Sequence, residues 1–440
     1  MVIVPRQNHN EMKAIDLVYF NAGGGHRSAA LALDAVIRER GLPWRVRLVN
    51  LFEVLDPCDV FGKTTGMRPE NYYNARLARG WTLGLSQELK ILQALIRLSH
   101  KSLSARLQRH WQKTQPDLVV SLVPNFNRAL YQALRSARPG APYVTALTDF
   151  ADMPPHFWIE PNQAQHLICG TAQAVAQARA AGYAESRIHA TSGMIIHPDF
   201  YRPLHIERRA ERIKLQLDPD RPTGMVMFGG HGSKAMLRIA ERLDDTQLIL
   251  VCGHNCALAD ELRSLAARAP RAVIGFSTQI RYFMRLSDFF IGKPGPGSIS
   301  EALQQRLPVI VVRNAWTMPQ ERYNTEWVQE RGAGVVLDSF KAIRAGVLRI
   351  TERLDDYRAA VSAIDNRAVF EIPDILGRIL RLSDAAPGRH RFHPAFPGRP
   401  EPASAPVSIL AAAARTGKAL PPNSARGSVV PLRARRHRRV

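Results

Sequence analysis

A chain of 440 residues is longer than one hydrophobic core usually serves, so two domains are expected. Its 45% apolar content is that of a globular protein, yet no run of about 18 apolar residues is present to cross a bilayer. The net charge of +22 excludes a neutral or acidic surface and points to an anionic partner, either membrane or nucleic acid.

In chain order, the opening residues show no basic flank followed by an apolar core, so no secretory signal is expected. Residues 15–20 read as a buried strand. They run into a turn with Gly24, Gly25 and His26, then a helix that Gly41 ends. A second strand is predicted at 44–51 and a loop at 56–80. From Leu85 an amphipathic pattern places Leu85, Leu89, Leu92, Ile96, Leu103 and Leu107 on one stripe. Lys90, Arg97, Lys101, Arg106, Arg109 and Lys113 stand between them, so the stripe reads either as core packing or as a membrane-interfacial helix. Strands follow at 117–122, 143–147 and 166–169, the second ending at Thr148-Asp149.

Residues 201–223 are polar and proline-bounded and read as a linker between a first domain at 1–200 and a second at 224–366. The second half repeats the alternation, with strands at 225–228, 247–252 and 272–276, a short apolar strand opening the stretch 288–303, and a strand at 308–312. Three of these lead into glycine-rich turns or loops. A helical segment is expected at 367–384. Residues 385–440 are rich in proline and arginine without a sustained period and read as a disordered basic tail. From residue 387 onward eleven Lys and Arg oppose the single acid Glu401.

Of the glycine turns, Gly295-Pro-Gly297-Ser298 is the strongest phosphate candidate. It places a helix N-terminus at the end of an apolar strand, where unbonded N–H groups and the dipole favour an anion. Glu301 stands three residues after Ser298, and this spacing by itself favours a capping box over a ligand. His26, at the mouth of its turn, reads either as a general base or as an incidental histidine. Asp149 reads as an orienting acid, a helix cap or a loop acid. Cys252-x-His254-x-Cys256 lacks a companion Cys/His pair, so no metal site is predicted. The four cysteines fit a reduced, cytoplasmic setting. Aromatic residues are not interleaved with basic ones along any strand, so no specific nucleic-acid recognition is expected.

Taken together, the segment from Gly23 to Ala30, Thr148-Asp149, residues 192–198, Gly229-Gly230, residues 252–255, Gly275-Phe276, residues 293–301 and Pro319-Gln320-Glu321 followed by Asn324 resemble glycosyltransferase family 28. The resemblance is to its monogalactosyldiacylglycerol synthase and diacylglycerol glucosyltransferase branch, and it spans about residues 15–337. It implies a GT-B fold: two doubly wound, Rossmann-like α/β domains facing an interdomain cleft. It implies inverting transfer of a hexose from a UDP-sugar to a lipid, 1,2-diacylglycerol first among them, without a metal or other cofactor. By position, Gly230, Asn255 and Phe276 would line the nucleotide, with Phe276 beside the uracil, and Gly295, Gly297 and Ser298 would face the diphosphate. Glu301 would hold the ribose, Gln320 and Glu321 the sugar. His26 would be the base, with Asp149 beside it and Gly24 and Gly25 on the acceptor side. Residues 153–158 depart from the branch pattern in order while keeping its aromatics. With the basic charge, the resemblance places the protein peripherally on an anionic membrane, at its cytoplasmic face. Transfer of N-acetylglucosamine to another lipid-linked acceptor, a UDP-sugar epimerase or hydrolase, and a basic nucleic-acid-binding protein are the alternatives.

Overall fold

In the computed structural model, residues 12–21, 24–56, 85–153 and 156–385 are described. The predicted loop at 56–80 lies almost wholly outside them, as does the basic tail from residue 386 onward.

Among the described residues, twelve strands form two parallel six-stranded sheets. The first contains β1 (Lys13–Tyr19), β2 (Trp44–Asn50), β3 (Leu118–Ser121), β4 (Tyr143–Ala146), β5 (His166–Cys169) and β6 (Ile188–Ala190). The second contains β7 (Thr223–Met227), β8 (Gln247–Val251), β9 (Arg271–Ile274), β10 (Phe289–Gly292), β11 (Val309–Val312) and β12 (Gly334–Leu337). Most of the central strands are short continuous apolar runs, as strands covered on both faces require. The edge strands β6 and β12 have no counterpart in the sequence reading. β6 is a three-residue strand, Ile-His-Ala, with no apolar run to mark it.

The strand orders are β2-β1-β3-β4-β5-β6 and β12-β11-β10-β7-β8-β9. Each order reverses once, between β1 and β3 and between β10 and β7. Ligands of open α/β sheets bind beyond the carboxyl ends of strands at such reversals. The turns after β1, β7 and β10 stand there.

One face of the first sheet packs on the helix Gly25–Glu39 and on the final helix Ala368–Ala385. Val369, Ile372, Leu376 and Ile379 of the final helix share a buried cluster with Ile15, Leu17, Leu33 and Val36. Each such side chain contributes about 1.5–3 kcal/mol on burial. The expected C-terminal helical segment therefore completes the first domain, and the chain crosses between domains twice. The crossings meet where Asn366 Nδ2 donates to the Met194 carbonyl at 3.0 Å.

Packing adds to two expectations. The stretch 201–223, read as a linker, carries the helix Arg208–Lys214, whose buried Arg212 pairs with Asp288 at 2.7 Å. The stripe from Leu85 is two helices, Leu85–Leu98 and His100–Thr114. Ile96, Leu103, Leu107 and Trp111 are buried against the first sheet, so this part of the stripe is core. Lys90, Arg97, Lys101 and Arg109 are exposed, together with Ile91 and Leu98. Among the described residues no helix is long and apolar enough to cross a membrane.

Candidate active site

The first wall of the cleft is built on β1, β3 and β4. Gly24 caps the helix Gly25–Glu39 with φ 80°, a left-handed conformation that glycine adopts without a Cβ penalty. This turn swings His26, the helix's second residue, inward over the ends of β3 and β4. The His26 Nδ1 lies 3.0 Å from the Thr148 hydroxyl, and the ring also hydrogen-bonds the Leu122 backbone. Phe20 and Trp158 flank it, with ring centroids 4.6 and 5.9 Å away. Burial lowers its pKa to about 4, so the imidazole is neutral at pH 7.

Asp149 follows Thr148 but shares no hydrogen bond with His26. It accepts a hydrogen bond from the Trp158 indole N–H at 2.9 Å. Burial pushes its carboxyl up to about 7; the indole bond opposes this, Glu321 adds to it and Lys293 opposes it. Glu321 and Lys293 belong to the second domain, so Asp149 feels the opposite wall. Trp158 thus clamps Asp149, which sequence reasoning missed because the contact joins positions nine apart across a loop.

The second wall centres on the helix Pro296–Gln304, which starts directly after β10 with Gly295 as its N-cap and Pro296 as its first residue. Ser298 is the third helical residue and makes no capping bond. The capping-box reading is therefore corrected, because the helix starts three residues earlier than that box requires. The side chain of Glu301, a half-buried residue, makes no hydrogen bond or ion pair among the described residues, and burial alone pushes its carboxyl up to about 7. The N–H groups of Gly297 and Ser298 find no backbone acceptor. Asn324 is fully buried and donates to the Pro294 carbonyl at 2.8 Å, which fixes the turn. Glu321 is also buried, and Lys293 Nζ lies 3.1 Å from its Oε1. Gln320 adjoins it, half-buried.

The third group lies beyond β7, β8 and β9. A Cβ at Gly253, where φ is +60°, would collide with the Gly230 carbonyl, so the two turns touch through bare backbone. The exposed Phe276 stacks on His254 with centroids 4.0 Å apart, leaving its other face open. Asn255 is the N-cap of the helix Cys256–Ser264, its side chain accepting from Leu258 N at 3.0 Å, so a structural bond already takes up its amide oxygen. Among the described residues no three His, Cys, Asp or Glu side chains cluster as metal ligands.

Two parallel α/β domains facing across a cleft, with glycine turns at both sheet reversals, define the class: the fold of GT-B glycosyltransferases. Solved structures agree. Acinetobacter baumannii MurG superposes with a TM-score of 0.52 at 12% identity, covering 83% of this chain and 99% of its own. The spinosyn forosaminyltransferase SpnP superposes at 0.52 and 16%, covering 85% and 100%. Among curated proteins the similarity is to monogalactosyldiacylglycerol synthases. The probable chloroplast synthase 2 of Oryza sativa subsp. japonica is 29% identical over an alignment of 391 residues that covers 82% of this chain and 79% of the rice protein. Arabidopsis thaliana synthase 1 is 27% identical over an alignment of 352 residues that covers 75% of this chain and 63% of its own. No family model matches the chain. The resemblance to the galactolipid synthase branch thus extends over most of the sequence.

Proposed function

We propose that the protein is an inverting glycosyltransferase that moves a hexose from a UDP-sugar to a lipid hydroxyl, with 1,2-diacylglycerol as acceptor. The observation that carries this reading is Glu301, a half-buried carboxylate without a partner, beside the unbonded N–H groups of Gly297 and Ser298. A diphosphate takes the N–H groups and the helix dipole, and a ribose diol donates to the carboxylate. The names of the relatives support the lipid acceptor. In this reading the dipole meets the charge that develops on departing UDP, so the transfer runs without a metal. Exposed Lys90, Arg97 and Lys101 around Ile91 and Leu98 support contact with an anionic membrane, at its cytoplasmic face.

His26 takes the proton from the attacking hydroxyl, which must displace Thr148 from Nδ1 to reach it. A specific observation favours a second base: Asp149, whose carboxyl titrates near 7, stands on the same wall and faces the donor side.

Labelled UDP-galactose, UDP-glucose and UDP-N-acetylglucosamine offered with diacylglycerol vesicles test the function. Label should enter a glycosyl-diacylglycerol from a hexose donor. Label appearing only as free sugar, or none in lipid from any donor, would remove the lipid-transferase reading.

Glu301→Gln should raise the donor KM about tenfold or more, the size of a lost hydrogen bond to a charged group. Its melting temperature should stay level or rise, because a desolvated carboxylate without a partner is removed. The wild-type donor KM should also climb as pH falls below about 7, where Glu301 takes a proton and ceases to accept from the diol. In Glu301→Gln that dependence should flatten. Loss of about 1 kcal/mol of stability with an unchanged KM would instead return Glu301 to a capping role.

A further inference from the structure

We infer that Lys293 is a direct ligand of the donor diphosphate, stored on Glu321 until the donor arrives. The inference rests on the UDP-sugar reading and adds to it a cation that the glycine turn alone does not supply.

Lys293 is the first residue after β10. It lies between the strand and the turn. Its Cε lies 3.2 Å, and its Nζ 3.7 Å, from where a Cβ on Gly295 would stand. The ammonium therefore runs alongside Gly295, the N-cap residue of the helix Pro296–Gln304. Gly295 itself has φ −73° and ψ 135°, an ordinary extended conformation that any residue adopts. Glycine is not needed there for backbone freedom. It leaves room for the lysine stem, because a side chain would press on Cε.

The same ammonium lies 3.1 Å from buried Glu321 and acts electrostatically on Asp149 across the cleft. Without a donor, one cation thus balances carboxylates from both walls. A donor adds close to two negative charges at this point. A helix N-terminus offers about half an elementary charge against them, which leaves most of the diphosphate charge unmatched. A lysine supplies a whole charge on a flexible stem and shifts between nearby anions by rotation. When the diphosphate takes the ammonium, the Oε1 of Glu321 is released to accept from sugar hydroxyls. Diphosphate binding and sugar gripping are coupled through one exchanged ion pair, and the cation is in place as charge grows on the leaving UDP.

Titration calorimetry of the full chain with uridine and with UDP, alongside turnover at saturating donor, tests this. Lys293→Met should bind uridine as the wild type does and bind UDP at least tenfold more weakly. Its turnover should fall by a similar or larger factor, and Lys293→Arg should recover part of both. Glu321→Gln supplies the readout that a merely structural lysine would not move: UDP should bind as tightly or more tightly, while UDP-sugar binds more weakly. Unchanged UDP affinity and turnover in Lys293→Met would overturn the inference and leave the transferase reading intact. A wild type that binds no UDP would overturn both. Uridine binding reports folding in each variant, and Lys293→Gln replaces Lys293→Met if the latter does not fold.

Discussion

His26→Ala is expected to keep UDP binding within about twofold and to lose turnover by about 10²–10⁴-fold, the range that positioned proton transfer contributes. The loss should appear in kcat, because the ring lies on the first domain's wall with Phe20, Thr148 and Trp158, not on the second-domain helix proposed to receive the diphosphate. A pKa near 4 makes the free imidazole a weak base. Negative charge from a bound donor stabilises the imidazolium and raises that value toward neutrality. The pH profile of kcat at saturating donor separates the two candidate bases. If Asp149 takes the proton, only its ionised form works, and kcat should fall about tenfold per unit below pH 7. Asp149→Asn should then abolish turnover, while His26→Ala should retain the limb near 7. If His26 takes it, the limb near 7 should persist in Asp149→Asn and disappear with His26. Turnover of His26→Ala within about threefold of the wild type would remove the histidine from the chemistry.

Asp288→Ala should cost about 3–5 kcal/mol of stability in urea unfolding, the penalty for stranding a buried charge. Asp288 begins the stretch that leads through β10 to the site, yet its own role is at the opposite end of the strand. Its carboxylate holds Arg212 at 2.7 Å, Arg208 at 2.8 Å and Arg358 at 2.6 Å, and accepts from Thr223 N at 2.9 Å. Arg212 is 4% exposed in its side chain, so without Asp288 its charge would keep only backbone carbonyls, those of Leu286, Pro219 and Arg221. Burial pushes the Asp288 carboxyl up, but the guanidiniums and the Thr223 N–H together hold it below the usual range. A depressed folded pKa stabilises fully above the unfolded value and is lost as pH falls through the folded one. The wild type should therefore lose this share of stability only in acid, and the acid limb should flatten in Asp288→Ala. Arg358→Ala should cost much less, since that side chain is 35% exposed and solvent screens it. Catalysis per folded molecule should survive in Asp288→Ala, because the cleft lies at the carboxyl end of β10.

The central strands were legible because their signal is local. The Phe-Phe-Ile-Gly run of β10 and the Val-Ile-Val-Val run of β11 need only their neighbours in sequence to be read. β6 was not legible, since two of its three residues carry no strand signal and its pairing with β5 is decided by the sheet. The helix Arg208–Lys214 reads as a charged connector until Asp288, 76 positions from Arg212, is placed beside it.

The sequence by itself determined the two α/β halves, the glycine turns at strand ends and the helix that starts directly after β10. Apolar runs and turn residues act over a few positions, so they can be read without the fold. Only the tertiary structure decided what the side chains in those turns do. It freed Glu301 from a cap, took up Asn255 as one, paired Asp149 with Trp158 instead of His26 and set Lys293 between two acids. Those outcomes follow from burial and from partners distant in sequence, and no spacing rule along the chain encodes either.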